Sequence, residues 1–319
     1  MILNKNTIYS ALIAAASGLA AALVFVLASR GTLGPLVLAY FAPVPLMLAA
    51  LVYGLRTGVA SALIGVAAIS AFNLVIGLFF VVGVAGPALA LSAIALYDAG
   101  GSRGIARAPT DVVISAAGAA IVSTIIGVLA ALSMVGGYEA GYDAMVKLAE
   151  PAVAELAKGV TLPGQVTVED IARKLVSATP LVMSASATGM FLTNFWIAAR
   201  VARLSSDTDR PWPSLADTLS LPPLLAAVFA GGAVLSFVDG PLGLIGGVVA
   251  AALGVAFALQ GLAVAHVLTR GSSMRGGLIA GLYALIVVAP PWPLIALAAA
   301  GLSDTLFQLR ARAETRAPP

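Results

Sequence analysis

The sequence contains no cysteine and a single histidine, and only 10% of its 319 residues are charged. The lack of cysteine excludes disulfides, thiol catalysis and cysteine-based metal sites. One histidine is too few for the usual zinc or haem ligand sets, so we expect neither a metal nor a cofactor. Soluble domains carry about 25% charged residues, and so little charge therefore indicates an integral membrane protein.

Apolar residues take the place of the missing charge: 61% of the chain is hydrophobic and the mean hydropathy is +1.05. A helix needs about 20 apolar residues to cross the hydrocarbon core of a bilayer. The window 57–97 has no charge and would form one helix of roughly 60 Å, so it must turn back, and we expect the turn around Gly77–Pro87. The other long windows without charge are 7–29, 31–55, 112–138, 175–199, 218–238, 240–265 and 276–303.

The arginines predict the topology, because cytoplasmic loops of membrane proteins are enriched in Lys and Arg. All the clusters reach the cytoplasm if both termini are cytoplasmic and 276–303, interrupted by "APPWPL", is a hairpin. This arrangement gives ten crossings, a single span over 276–303 gives nine, and Arg30 is an exception to both. The clusters are Arg56; Arg103 and Arg107; Arg200, Arg203 and Arg210; Arg270 and Arg275; and Arg310, Arg312 and Arg316.

We therefore predict an all-α, polytopic bundle of about nine to ten crossings in the cytoplasmic (inner) membrane of a bacterium. The net charge of +3 fits cytoplasmic loops better than a nucleic-acid surface. The lipid bilayer is then its main surrounding, and no nucleic-acid partner is expected.

One long connection, residues 137–175, carries charge of both signs together with an apolar stripe. Such a stripe predicts an amphipathic helix on the extracytoplasmic membrane surface, kinked near Pro151; a helix that simply caps the bundle is the alternative. Thr167 and Asp170 resemble a capping box at the start of the next helix. The stripe consists of Tyr138, Tyr142, Met145, Ala149, Val153, Leu156 and Val160.

Small residues recur at helical spacing in the first apolar window and predict close packing against another helix, either of a partner or of the same bundle. They include Ala11, Ala15, Gly18 and Ala22. Pro45 and the passage Gly54-Leu-Arg-Thr-Gly58 follow. This order resembles the substrate-binding subunits, or S components, of energy-coupling-factor vitamin transporters over about the first third of the chain.

From end to end the chain resembles the YybS-like family of bacterial membrane proteins, most closely at "NFWIAARVAR" (194–203) and "LQGLAVAHVLTRG" (259–271). The S-component resemblance implies an S-component-like core in 1–110, followed by further helices in 111–319 within one membrane domain. It also implies a small solute as substrate, and separate coupling and ATPase subunits as partners.

Polar side chains within apolar windows are expensive, and each is a hypothesis for a functional residue. We assign Gln260, Asn73, Asn194 and Asp239 as candidate solute-binding residues, although each amide could instead brace or cap helices, and Asp239 lies in a turn sequence, Asp-Gly-Pro. A second candidate group, a polar cluster on the cytoplasmic side, is formed by Asp98, His266, Asp304 and Arg200.

Sequence signatures of enzymes are missing, since neither GxxxxGK[ST], GxSxG nor HExxH occurs. We therefore predict no catalytic site. The leading hypothesis is a protein that binds or translocates a small solute with the help of partner subunits. The alternative is a scaffold that recruits other proteins of the cell envelope. A third option is a lipid-handling enzyme, which Asp98, Asp304, His266 and arginines clustered around an inner-leaflet cleft would favour. A cavity that reaches Gln260 or Asn73 favours the first, and a solidly packed bundle favours the second.

Overall fold

The computed structural model describes residues 5–28, 31–100, 108–158, 164, 166–205 and 214–316. These residues form α-helices joined by short turns, with no β-strand among them. The predicted fold class, a polytopic helical bundle, is confirmed. In chain order the first eight helices are α1 (Lys5–Leu27), α2 (Leu33–Ala39), α3 (Pro43–Tyr53), α4 (Leu55–Ser70), α5 (Leu74–Phe80), α6 (Gly86–Gly100), α7 (Ala108–Ser133) and α8 (Tyr138–Leu156).

The second half of the chain contains the longest helix of the described residues, α9, with 38 residues. A π-helical turn, Val81–Ala85, joins α5 to α6. The remaining helices are α9 (Val168–Ser205), α10 (Leu215–Thr218), α11 (Pro223–Leu235), α12 (Pro241–Leu268), α13 (Arg275–Val288), α14 (Trp292–Phe307) and α15 (Leu309–Arg316).

Six helical segments of the described chain are long and apolar enough to cross a membrane. Four shorter apolar helices, α4, α11, α13 and α14, have 13 to 16 residues each. Ten crossings result if all four also cross, and α13 and α14 then form the hairpin expected in 276–303. The six long segments are Ile8–Leu27, Gly34–Tyr53, Leu74–Tyr97, Pro109–Ser133, Val168–Ser205 and Pro241–Leu268.

The chain reverses direction at 71–73 and not at Gly77–Pro87, where we expected the turn. Asn73 ends the turn by accepting a hydrogen bond from the Ile76 amide (3.1 Å), which caps α5. Gly77 then packs so closely on Ser70 that a Cβ would lie 2.1 Å from the Ser70 hydroxyl. The Gly/Pro-rich stretch that suggested a reversal forms the π-helical turn instead.

The helix α8 confirms an amphipathic segment after residue 137, and it continues without a break through Pro151. It packs on α9 and α7, with Val146 and Val153 buried against Ala172. The exposed Leu156, which the stripe placed on the same face, points away from this contact. The capping box is confirmed, because Asp170 accepts from the Thr167 amide (2.8 Å) and donates its own amide to the Thr167 hydroxyl (3.1 Å).

Glycines allow α12 and α14 to pack backbone against backbone. A Cβ on Gly261 would lie 1.9 Å from the Leu297 carbonyl oxygen, and one on Gly301 would lie 2.0 Å from that of Phe257. In the first helix, Gly18 meets α4 in the same way, with the Ser61 carbonyl 2.2 Å from the position of its Cβ. The small face of α1 therefore packs within the chain: Ala22 is buried with Gly18, Ala15 is half-buried and Ala11 is exposed.

The two ends of the bundle differ in charge. The turn 71–73 and the α11–α12 turn lie at the same end of the bundle as α8. The reason is that Phe79 and Gly243, which follow these turns closely in sequence, line one cavity together with residues of α8. At the opposite end of α4, α9 and α12 lie Arg56, Arg200, Arg203 and Arg270, which we call the arginine end. The predicted boundary at residue 110, between an S-component-like core and the further helices, stays a prediction.

We predict that Gly301→Ala will destabilise the bundle by about 1–3 kcal/mol, because the added methyl group forces α12 and α14 apart. Gly281→Ala in α13 is the matched control, since a Cβ there meets no atom within 4 Å. Detergent-induced unfolding followed by tryptophan fluorescence measures both. Equal stability of the two variants would contradict the close backbone contact.

Candidate functional site

Gln260 is fully buried in α12, and its side-chain amide takes part in three hydrogen bonds with other parts of the chain. Its Oε1 accepts from the Leu221 amide (2.8 Å), just before Pro222 and Pro223 open α11. Its Nε2 donates to Oδ2 of Asp304 (2.9 Å) and to the hydroxyl of Thr305 (3.0 Å). The amide thus ties α12 to α14 and to the segment that leads into α11.

Arg310 completes this network at the arginine end. Its Nε donates to Oδ2 of Asp304 (2.9 Å), and its backbone amide donates to Oδ1 (3.0 Å). Its guanidinium also donates to the carbonyl oxygens of Ala216 and Leu219. Both side chains are nearly buried, with 12% and 5% of their surface exposed, so the pair is a buried ion pair supported by hydrogen bonds.

A second ion pair, between Arg270 and Asp217, lies beside the first. Hydrogen bonds from Ser214 and then from Arg270 hold the pKa of Asp217 below its usual range. This carboxyl group is exposed at the surface, so the pair orients α10 without contributing much to stability.

Asn194 braces the break between α2 and α3. The Val44 amide donates to the Phe41 carbonyl and not to the Tyr40 carbonyl, and Pro43 and Pro45 have no amide hydrogen to donate. The Tyr40 carbonyl therefore accepts from Nδ2 of Asn194 (2.7 Å). The Oδ1 of Asn194 is buried without a partner in the described chain. Asn73, as described above, caps α5 on the exposed surface.

The structure does not bring the proposed cytoplasmic cluster together among the residues that it describes. Nδ1 of His266 donates to the Leu262 carbonyl (2.8 Å), and the imidazole ring meets Tyr283 with centroids 6.0 Å apart. Asp304 pairs with Gln260 and Arg310, whereas Arg200 is exposed on α9. The side chain of Asp98 lies outside the described part of the structure.

A large cavity opens at the other end of the bundle, beneath α8. It has a volume of about 1170 Å³ and is lined by α7, α8, α9, the π-helical turn and the start of α12, with an open side. Its lining is mainly apolar, with polar groups from Ser123, Thr124, Tyr142 and Ser177 and charged groups from Glu139, Arg173 and Asp239. Pockets for small molecules are typically 300–1,000 Å³ and largely apolar with a few polar groups; this α8 cavity is somewhat larger and has a lining of that kind.

Of the four candidate solute-binding residues, Asp239 alone lines the α8 cavity. Gln260 lies about 24 Å farther along α12 than Leu244, which lines the cavity. Asn73 and Asn194 are likewise outside the lining. A solute contact for these three amides stays a prediction, while the observed contacts of each are with the protein backbone or with neighbouring side chains.

The π-helical turn forms part of the cavity wall through Val82 and Gly83. The Gly86 amide bonds to the Val81 carbonyl, and Pro87 has no amide hydrogen, so the Val82 carbonyl has no donor within its own helix. The Ser123 hydroxyl of α7 donates to the Val82 carbonyl instead (2.7 Å). π-helical turns are frequent at functional sites. In the sequence, this turn is marked by Pro87, four residues after Gly83.

The helix α8 covers the cavity and is attached by few polar contacts. Arg173 of α9 forms ion pairs with Asp143 (3.2 Å) and with Glu169 (3.0 Å), and all three side chains are about half exposed. The Tyr142 hydroxyl donates to the Arg173 carbonyl (2.9 Å). Gly136 and Gly137, which precede α8, both have positive φ angles (104° and 105°) that other residues rarely adopt.

The fold and the cavity define a polytopic helical membrane protein with a covered pocket at one end. The family model described as "Predicted membrane protein (DUF2232)" matches residues 8–305, and the chain belongs to this family. No curated protein and no solved structure matches the chain.

We predict that Arg310→Gln will lower stability by about 3–5 kcal/mol, because it leaves the buried Asp304 carboxylate without a cation. Adding Asp304→Asn to this variant should restore part of the loss, since the neutral amide needs no counter-charge. A double-mutant cycle of unfolding midpoints measures the coupling. Strictly additive losses would contradict the ion pair.

Proposed function

We propose that the protein binds a small, largely apolar solute in the α8 cavity and delivers it with the help of separate energising subunits. The observation that carries this proposal is the cavity itself, with a volume of about 1170 Å³ under a helix that few polar contacts hold in place. In this proposal the protein acts by binding and transport and not by catalysis.

The resemblance to S components supports the same proposal. Those subunits capture their solute within the membrane and depend on partners for energy, and this chain has no phosphate-binding loop of its own. The likeness to S components and to YybS-like proteins belongs to the proposal, as does a bacterial inner membrane with both termini in the cytoplasm. Under that orientation the α8 cavity faces outward, where a solute would enter, and the arginine end faces the cytoplasm.

The arginine end offers a surface for the energising subunits. Arg56, Arg200 and Arg203 are exposed there, whereas Arg270 and Arg310 form ion pairs with aspartates. Exposed positive charge at one end favours partners with acidic docking surfaces through electrostatic complementarity.

One observation favours the alternative, a scaffold of the cell envelope. None of the residues of α13 is buried, and this apolar helix packs on α14 at the edge of the bundle. A neighbouring membrane protein could cover such a helix as well as lipid does. The two proposals differ in what they require of the α8 cavity, since a scaffold needs no ligand there.

We expect Gly127→Phe to abolish retention of the native solute. A Cβ on Gly127 meets no atom within 4 Å and Gly127 lines the cavity, so the ring fills space without a backbone clash. Native mass spectrometry of protein from its own membranes should give at least a tenfold loss, about 1.4 kcal/mol of binding. Gly118→Phe, on the same helix outside the lining, is the control and should retain the solute. Equal retention by both variants, or no retained molecule even in the wild type, counts against solute binding.

Crosslinking followed by purification from native membranes tests the partner subunits. We expect ATPase and coupling subunits to copurify with the wild type and to be recovered several-fold less with Arg200→Glu/Arg203→Glu, because the charge reversal repels an acidic surface. The Gly127→Phe variant serves as the control, since it leaves the arginine end unchanged. Recovery of envelope proteins without any ATPase would favour the scaffold.

A further inference from the structure

The rim of the α8 cavity carries two carboxylates that have no cation in the described structure. Glu139 lies in the first turn of α8, Asp239 lies in the turn before α12, and both are exposed and line the cavity. Neither belongs to an ion pair between described residues. The cationic residue of the lining, Arg173, is already shared by Asp143 and Glu169. The charge left over at this rim is negative.

A pair of aromatic rings lies next to these carboxylates. Tyr138 and Tyr142 stack with centroids 6.2 Å apart and planes inclined by 15°, and both line the cavity. Burial first, and then the charges of Tyr142, Glu139 and Asp239, raise the pKa of Tyr138, so both carboxylates lie within electrostatic reach of one phenol. Faces of tyrosine rings attract cations, and this attraction grows where water is excluded.

Deeper in the cavity the wall is apolar, with Val128, Met183 and Phe191 among its residues. A molecule that satisfies both regions has a charged end and an apolar body. An anionic end is disfavoured, because Arg173 is neutralised by two carboxylates and Glu139 and Asp239 would repel it.

We propose that the solute of the α8 cavity is a cationic amphiphile, an organic amine or quaternary ammonium ion whose charged end lies among Glu139, Asp239 and the stacked tyrosines. This inference rests on the proposed solute-binding function and specifies its substrate class. The apolar body of the solute extends between α7 and α9.

The absence of cysteine makes a charge test simple, because a single introduced thiol is the only reactive one. Ala131→Cys places it in the cavity wall, and Ala71→Cys places it on the exposed turn at the same end as a control. Each full-length variant, in proteoliposomes, reacts with a trimethylammonioethyl and with a sulfonatoethyl methanethiosulfonate. The ratio of the cationic to the anionic rate constant at Ala131→Cys, divided by the ratio at Ala71→Cys, gives the charge preference of the cavity.

We expect this normalised ratio to be about tenfold, as electrostatic focusing in a charged cleft gives, and to decrease at 1 M salt. Glu139→Gln/Asp239→Asn in the Ala131→Cys chain should bring it close to one. Both substitutions are at exposed positions, and an unchanged elution profile shows that the fold is kept. A normalised ratio near one in the unsubstituted chain, or one that the double substitution leaves unchanged, overturns the cationic class.

Binding itself is probed with octyltrimethylammonium and octanesulfonate, which share an apolar body and differ in charge. Octyltrimethylammonium should slow the reaction of Ala131→Cys with neutral methyl methanethiosulfonate at least fivefold, and octanesulfonate should not. Equal protection by the two probes overturns the cationic class but leaves solute binding intact. If no reagent reaches Ala131→Cys while Ala71→Cys reacts, the α8 cavity is closed to solutes and the proposed function fails with it.

Discussion

Every backbone polar group inside the apolar bundle needs a hydrogen-bond partner, because the hydrocarbon surroundings supply none. Continuous helices meet this requirement by themselves. Where a helix is interrupted, backbone amide or carbonyl groups lose their helical partners, and side chains bond to several of them. Ser123 serves the π-helical turn, Asn194 serves the α2–α3 break, and Gln260 and Arg310 serve the segment before α11. The few polar residues at depth are thus largely committed to the backbone.

This constraint explains how much of the fold the sequence predicts. Charge-free windows locate the helices, because burying an unpaired charge in lipid is costly, and Thr167 with Asp170 marks a helix start through local hydrogen bonds alone. The sequence predicts the chain reversal within 57–97 around Gly77–Pro87, whereas it lies at 71–73. Pro87 removes one amide hydrogen from the helix, and the chain responds with a π-helical turn and not with a reversal. Ser123 of α7 donates to this turn, and the sequence does not reveal that long-range contact.

The candidate site is less predictable for the same reason. Gln260 and Asn194 look like solute ligands in sequence, because nothing local shows that the Leu221 amide and the Tyr40 carbonyl need them. Asp239 lines the cavity, but in the sequence it is one of several polar residues and its Asp-Gly-Pro context indicates a turn. The cavity wall combines the consecutive helices α7, α8 and α9 with the π-helical turn and the start of α12, and its small and apolar residues resemble any other residues of a membrane helix.

The magnitudes of the contacts indicate which part of the molecule can open. The helices α12 and α14 meet through backbone contacts at two glycines and through the hydrogen bond from Gln260 to Asp304. Asp304 also forms a buried ion pair with Arg310 of α15, and breaking such a pair costs about 3–5 kcal/mol. The cover α8 is held to α9 by a half-exposed ion pair between Asp143 and Arg173, which contributes at most about 1 kcal/mol, and by a small cluster around Val146 and Val153. Local opening follows the weakest cooperative unit of a structure. The contacts of α8 are therefore the weaker ones, and we expect α8 to detach from the bundle more readily than α12 separates from α14.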